Sequence, residues 1–168
     1  MSRSISAAFR EALYAERTGE TVAILVTITH EDLAEPLRFS SDVGSLLTED
    51  PRTYGIVSRG FIFGYFPIEE LRLPEEGEDA VPAINLTMTN VGRDMVSLLR
   101  STSTPAKVTL EVVLVSNPDQ VEVSFPNFDL LNATYDAQIV TLTLGIDALT
   151  NQTYPAHSFT PSYFPALF

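Results

Sequence analysis

Cysteine is absent from the 168 residues, and histidine occurs only twice, at His30 and His157. The first absence excludes disulfides, thiolate zinc sites and cysteine nucleophiles, and leaves the redox compartment open. The scarcity of the second leaves little from which to build a serine triad or a histidine-rich metal centre. Positive charge is short as well: 22 acidic residues stand against 10 basic ones, giving a net charge of −12, and no Lys or Arg follows Lys107. A surface that grips phosphate needs clustered cations, so direct nucleic-acid binding and docking on anionic lipid are both disfavoured. No long apolar run is present either. The opening "MSRSISAAFREALYAERTGE" mixes charge with apolar residues, unlike a signal peptide or a membrane span, and predicts a protein made and kept in the cytoplasm.

What the chain does have is a large apolar fraction, 45%, enough at this length for a core without external staples. One domain over 1–168 is expected, with an N-terminal helix (1–20), a β-rich body (21–153) and a C-terminal arm (154–168). Phe9, Ala12, Leu13 and Glu16 fall on a helical period, and Gly19 stands where a helix-ending glycine belongs. "TVAILVTITH" (21–30) is β-branched and nearly continuous in its apolar order, a strand buried on at least one face. "EDLAEPLRF" reads as a turn and a short return strand, and "YGIVS", "FIFGYF" and "IEELRL" as hairpin-sized pieces. Ile84, Leu86 and Met88 alternate with polar neighbours, and Asn90 then caps a second, short helix carrying Val91, Met95, Leu98 and Leu99 on one face.

Two further hairpins complete the pattern. Val108, Leu110, Val112 and Leu114 alternate with Lys107, Thr109, Glu111 and Val113, and Asn117-Pro118-Asp119 is expected to turn the chain toward Val121, Val123 and Phe125. Asp136-Ala137 turns the next pair, with Val140, Leu142, Leu144 and Ile146 on one face. The fold class that follows is mainly β, an antiparallel sandwich or partly open barrel with an N-terminal helix and one short accessory helix.

Chemistry-bearing constellations are weak. His30, Glu31 and Asp32 could supply part of a metal site, but a polar turn at a strand end explains the same three residues. Glu111 and Glu122 could face each other as a hydrolytic carboxylate pair, or could simply lie on a solvated sheet face. The acidic run 75–79 lacks the spaced ligand order of a calcium loop, and "RGFIFG" lacks the Lys-Ser/Thr of a phosphate loop. No catalytic residue, cofactor or metal ligand is assigned.

The ending "YPAHSFTPSYFPALF" holds five aromatics and three prolines without one Lys, Arg, Asp or Glu. Proline forbids a regular helix here and stiffens the segment, so Tyr154, Phe159, Tyr163, Phe164 and Phe168 project from a ribbon that needs a groove. That groove lies either on the protein's own body or on a neighbouring subunit.

Three stretches, "INLTMTNVGRDMVSLLR", "PAKVTLEVVLVSNPDQVEVSFPNFDLLNATYDAQIVTLTLG" and the ribbon, taken in this order, resemble a family of tailed-phage and prophage proteins described only as a domain of unknown function. The resemblance spans 21–168 and is strongest from Ala83 on; its most specific element is the Phe-Thr-Pro-x-x-Phe-Pro-x-Leu-Phe ending. It implies a virion structural protein of a non-contractile tail, in the distal tail or tail tip (baseplate) between tube and hub. The implied partners are further copies of itself in a ring and the neighbouring tube, tape-measure and hub proteins. It implies no enzymatic role, and location in the virion after assembly in the host cytoplasm. The alternative is a tail-associated carbohydrate- or receptor-binding module, with Tyr54, Phe61, Phe63, Tyr65 and Phe66 as a stacking platform unless bends at Gly60 and Gly64 turn them inward.

Overall fold

The computed structural model describes residues 5–72, 83–89, 104–136 and 139–145. The expected second helix, the acidic run 75–79, Ile146 and the ribbon 154–168 lie outside the described residues.

Helix α1 covers Ala7–Tyr14. Its cap is Ser6, whose hydroxyl accepts the Phe9 amide at 3.0 Å. The helix stops at Ala15, in extended backbone, so it is shorter than the expected 1–20 and Gly19 does not end it. The reason is lack of support: Phe9 alone is buried, while Leu13 and Tyr14 are exposed, and a short helix without a packed face does not extend itself.

Among the described residues ten strands follow: β1 Val22–Thr29, β2 Leu37–Ser40, β3 Ser45–Glu49, β4 Arg52–Ser58, β5 Phe61–Tyr65, β6 Ile68–Arg72, β7 Ala83–Thr89, β8 Lys107–Leu114, β9 Asn117–Tyr135 and β10 Ile139–Gly145. They form one mixed sheet in the order β3-β4-β5-β2-β1-β8-β9-β10-β7-β6. Every strand pairing is antiparallel except β2 with β5, which departs from the all-antiparallel expectation.

The order forces a curl. β5 lies beside β2, and β6 lies at the far edge of the sheet, yet only Phe66 and Pro67 separate β5 from β6. Two residues and their flanking bonds reach about 10 Å, so the run β2-β1-β8-β9-β10-β7-β6 has to wrap until its ends nearly meet. It is a partly open barrel, not closed by pairing. Its ends are tied by the Phe66 amide donating to the Ser40 carbonyl (2.8 Å) and the Thr89 amide donating to the Pro67 carbonyl (3.0 Å).

Inside the curl lies the main core. Val26 and Ile28 of β1, Val108 and Leu110 of β8, Ile84, Leu86 and Met88 of β7, and Val140, Leu142 and Leu144 of β10 are all buried there. Register puts them shoulder to shoulder: Val26 opposite Leu110, Leu142 opposite Leu86, Val140 opposite Met88. The alternation expected for β7 and β10 is thus realised.

The β8–β9 hairpin turns earlier than expected. Leu114 pairs with Asn117 across a two-residue turn at Val115–Ser116, so Asn117, Pro118 and Asp119 already belong to β9. The second expected turn is where the sequence places it: the Asp136 carboxylate accepts the Ile139 amide at 2.7 Å.

Candidate functional site

β3, β4 and β5 leave the curl and fold back over its outer surface. Ile56 of β4 and Phe63 of β5 pack on Ala23 and Leu25 of β1 and Val113 of β8, forming a second, smaller core. β1 and β8 are therefore buried on both faces where the lobe covers them. Close backbone contact at the root of the lobe requires glycine: Gly44 has φ +58, and a β-carbon at Gly55 would overlap the Phe63 carbonyl oxygen.

A polar latch fixes the lobe to the β8–β9 hairpin. β4 and β5 are joined by Arg59 (φ 52) and Gly60 (φ 79), both left-handed, as a two-residue hairpin of this hand requires. Arginine in that conformation costs roughly 1–2 kcal/mol, and its contacts offset the strain. The Arg59 guanidinium donates to both Glu111 carboxylate oxygens, Nη1 to Oε1 at 3.0 Å and Nη2 to Oε2. The Arg59 amide donates to Asp119 (2.5 Å), and the Ser58 hydroxyl donates to the Pro118 carbonyl (2.7 Å). The bond with Glu111 is the main cause that raises the Arg59 pKa above its ordinary value, reinforced by the charges of Glu111 and Asp119 against a desolvation penalty. Loss of the guanidinium charge lies above the ordinary arginine range, so Arg59 carries its charge at any milder pH.

The opposite face of the lobe is open and apolar. Val57 and Ile62 pair across β4 and β5 on the side away from the second core, at 47% and 61% exposure, and beside them Gly64 has nothing within 4 Å of its missing β-carbon. In the other phase, on the side of Ile56 and Phe63 but beyond the second core, Tyr54, Phe61 and Tyr65 are partly exposed too, as is Leu46 opposite Tyr54. Arg38 lies 4.2 Å from the centre of the Phe61 ring.

The platform proposed from sequence is dispersed by this geometry. Phe63 is buried in the second core, and Phe66 packs edge-on against Phe39 at 5.3 Å in the main core. Tyr54, Phe61 and Tyr65 share the side of Phe63 but stay partly exposed at the margins of the second core; Gly60 makes the hairpin turn and Gly64 is open strand.

The carboxylate pair also separates. Glu111 is held by Arg59, while Glu122, in a bulge of β9, accepts the Ser6 amide at 2.7 Å and anchors α1. His30 is used up locally. Its Nδ1 accepts the Asp32 amide (3.0 Å), which places the ring hydrogen on Nε2, within 2.7 Å of the Thr104 hydroxyl and 3.0 Å of its carbonyl. This is the strand-end turn reading of His30, Glu31 and Asp32, and among the described residues no cluster suited to a metal ion occurs. Tyr154, Phe159, Tyr163, Phe164 and Phe168 lie outside the described residues.

A family model described as Domain of unknown function (DUF1833) matches residues 8–159. The chain belongs to that family. The resemblance read in its strands is borne out at this level; the match stops at residue 159, where the Phe-Thr-Pro ending begins. Among solved structures, this family member is similar to a chain of the "Virion of native gene transfer agent (GTA) particle", with a TM-score of 0.55 and 16% identity over 93% of its own length. It spans 50% of that longer chain, so the likeness is one of fold. Among curated proteins no relative matches.

Sequence reasoning did not find the Arg59 latch. Its one local signal is an Arg-Gly pair between two strand-like runs, and Glu111 lies 52 residues away.

Proposed function

We propose that this DUF1833 member is a structural subunit of a phage-type virion, built into the distal tail or tail tip between tube and hub, and not an enzyme. One observation carries the reading: its fold is shared, over 93% of its length, with a chain of a virion particle. The Phe-Thr-Pro-x-x-Phe-Pro-x-Leu-Phe ending and the apolar lobe face both suit a chain that buries surface only on assembly. Its partners are further copies of itself in a ring, and the tube, tape-measure and hub proteins on either side. It is assembled in the host cytoplasm and resides in the virion. Its acidity, −12, keeps unassembled copies apart and does not hold DNA.

The test is location. Purified particles should contain the chain at a stoichiometry fixed per tail, and gold-labelled antibody should mark the tail end farthest from the capsid. Particles that lack the chain, or labelling along the shaft or on the capsid, overturn the distal-tail reading. The carbohydrate-binding alternative has three exposed rings left to it, Tyr54, Phe61 and Tyr65, since Phe63 and Phe66 are taken up in packing.

A further inference from the structure

The open lobe face and the C-terminal ribbon are both apolar and uncharged. Val57 and Ile62 present paired apolar side chains to solvent beside the open surface of Gly64, on strands that the Arg59 latch and the second core hold rigidly. A flat apolar surface with a dent at a strand glycine accepts an aromatic ring, since no side chain stands in the way. The ribbon supplies five such rings on an uncharged, proline-stiffened segment, which lowers the entropy lost on docking.

Charge marks the same place. Two copies at −12 repel, but residues 45–65 carry two acids, Glu49 and Asp50, and two cations, Arg52 and Arg59, so the lobe is neutral where the chain as a whole is not. Direction matters too. Gly145, the last described residue before the ribbon, sits in one row with Asp129, Lys107 and Thr29 at one end of the sheet. The lobe is latched at Glu111, Pro118 and Asp119, toward the other end, where Leu114 meets Asn117. Donor and acceptor at opposite ends of one sheet suit head-to-tail contact between copies.

We propose that the apolar outer face of the β4–β5 hairpin, centred on Val57 and Ile62, receives the 154–168 ribbon of a second copy of this chain. The proposal rests on reading the chain as an assembly subunit and names the surface through which copies join. The ribbon begins nine residues beyond Gly145, a reach of about 30 Å when extended.

The experiment uses the full chain with a photoactivatable benzoylphenylalanine in place of Ile62. Isotopically light and heavy chains are mixed at high concentration and irradiated, and the joined peptides are identified by mass. The expected product links position 62 to residues 154–168, with light–heavy pairs among the products. Ile62→Lys and Val57→Lys should weaken self-association by about tenfold or more while leaving the melting temperature of the monomer unchanged. Links confined to one isotope, meaning each ribbon covers its own lobe, overturn the proposal. So do links to other segments, absence of intermolecular links, or undiminished association of both lysine variants. Particle content is read separately. A chain absent from particles but linked between copies would defeat the virion reading and leave the contact standing, whereas a chain present in particles without ribbon links would do the reverse.

Discussion

Inside the curl, β1, β7, β8 and β10 each contribute at least two buried aliphatic side chains, while beneath the lobe the smaller core is closed by five residues, of which only Ile56 and Phe63 come from the lobe itself. The exposed side is the reverse. Leu46, Tyr54, Val57, Phe61, Ile62 and Tyr65 all lie on β3–β5, whereas among the described strands of the curl the exposed large apolar residues are Val22 and Leu131. The curl is thus held by apolar burial and the lobe by a small core plus a polar latch, with Val57 and Ile62 turned outward and the rings of Tyr54, Phe61 and Tyr65 left partly exposed at the margins of the small core. The first arrangement stabilises a monomer by burial, and the second fixes an exposed apolar pair, Val57 and Ile62, in place.

The largest expected effect tests the curl. Leu142 is fully buried between Leu86 and Ala133, so Leu142→Ala should leave a cavity that a wrapped sheet cannot collapse. The expected loss is toward the upper part of the range of about 2–5 kcal/mol for such truncations, seen as a cooperative shift in denaturant midpoint. In the lobe, Ile56→Ala should fall at the lower part of the same range of about 2–5 kcal/mol, because a small, one-sided cluster relaxes more easily. Hydrogen exchange should show lost protection confined to β3–β5. Equal losses at the two sites, or global deprotection by Ile56→Ala, would break the contrast between curl and lobe.

Next in size is the latch. Glu111→Gln removes the charge that Arg59 pairs with but keeps one acceptor, and the guanidinium remains partly in water. A loss of about 1–2 kcal/mol follows. A double-mutant cycle with Arg59→Met should return most of it as coupling. A coupling near zero would mean that the second core alone holds the lobe.

How far these two regions could be read in the sequence differs for a physical reason. One-faced burial writes a period of two, and the alternations of Ile84, Leu86, Met88 and of Val140, Leu142, Leu144 were therefore readable. The lobe erases that signal wherever it covers a second face. Val113, assigned to the polar phase of β8, is fully buried under Ile56 and Phe63, and the run "VVLV" was the available hint. The turn expected at Asn117-Pro118-Asp119 failed for a related reason: the Pro118 carbonyl and the Asp119 carboxylate are engaged by Ser58 and Arg59, contacts 60 residues apart that local turn chemistry does not contain. β3 was missed because "SLLTE" is mostly exposed and is held in the sheet by β4 alone. The candidate site suffered most. No local signal marks Val57 and Ile62 as a pair on the open side of a hairpin, and the ribbon lies outside the described residues.

The smallest expected effect sharpens the contrast most. Ile62→Ser removes a large apolar side chain that is mostly in water, so the monomer should change by no more than about 0.5 kcal/mol in either direction. Serine is the milder counterpart of lysine here, since it adds no charge and only trims the side chain to a small polar group. On a sheet face that exists only for the fold of one chain, isoleucine at this position has no function beyond strand propensity, and replacing it should alter solubility at most. On a face that is covered in an assembly, the same change should leave melting and far-ultraviolet dichroism intact while reducing association and incorporation into particles. The informative outcome is the joint one. If Ile62→Ser lowers the melting temperature of the monomer as much as Ile56→Ala does, Ile62 is a packing residue of the lobe, and the division between an inward face that stabilises and an outward face that joins copies does not hold.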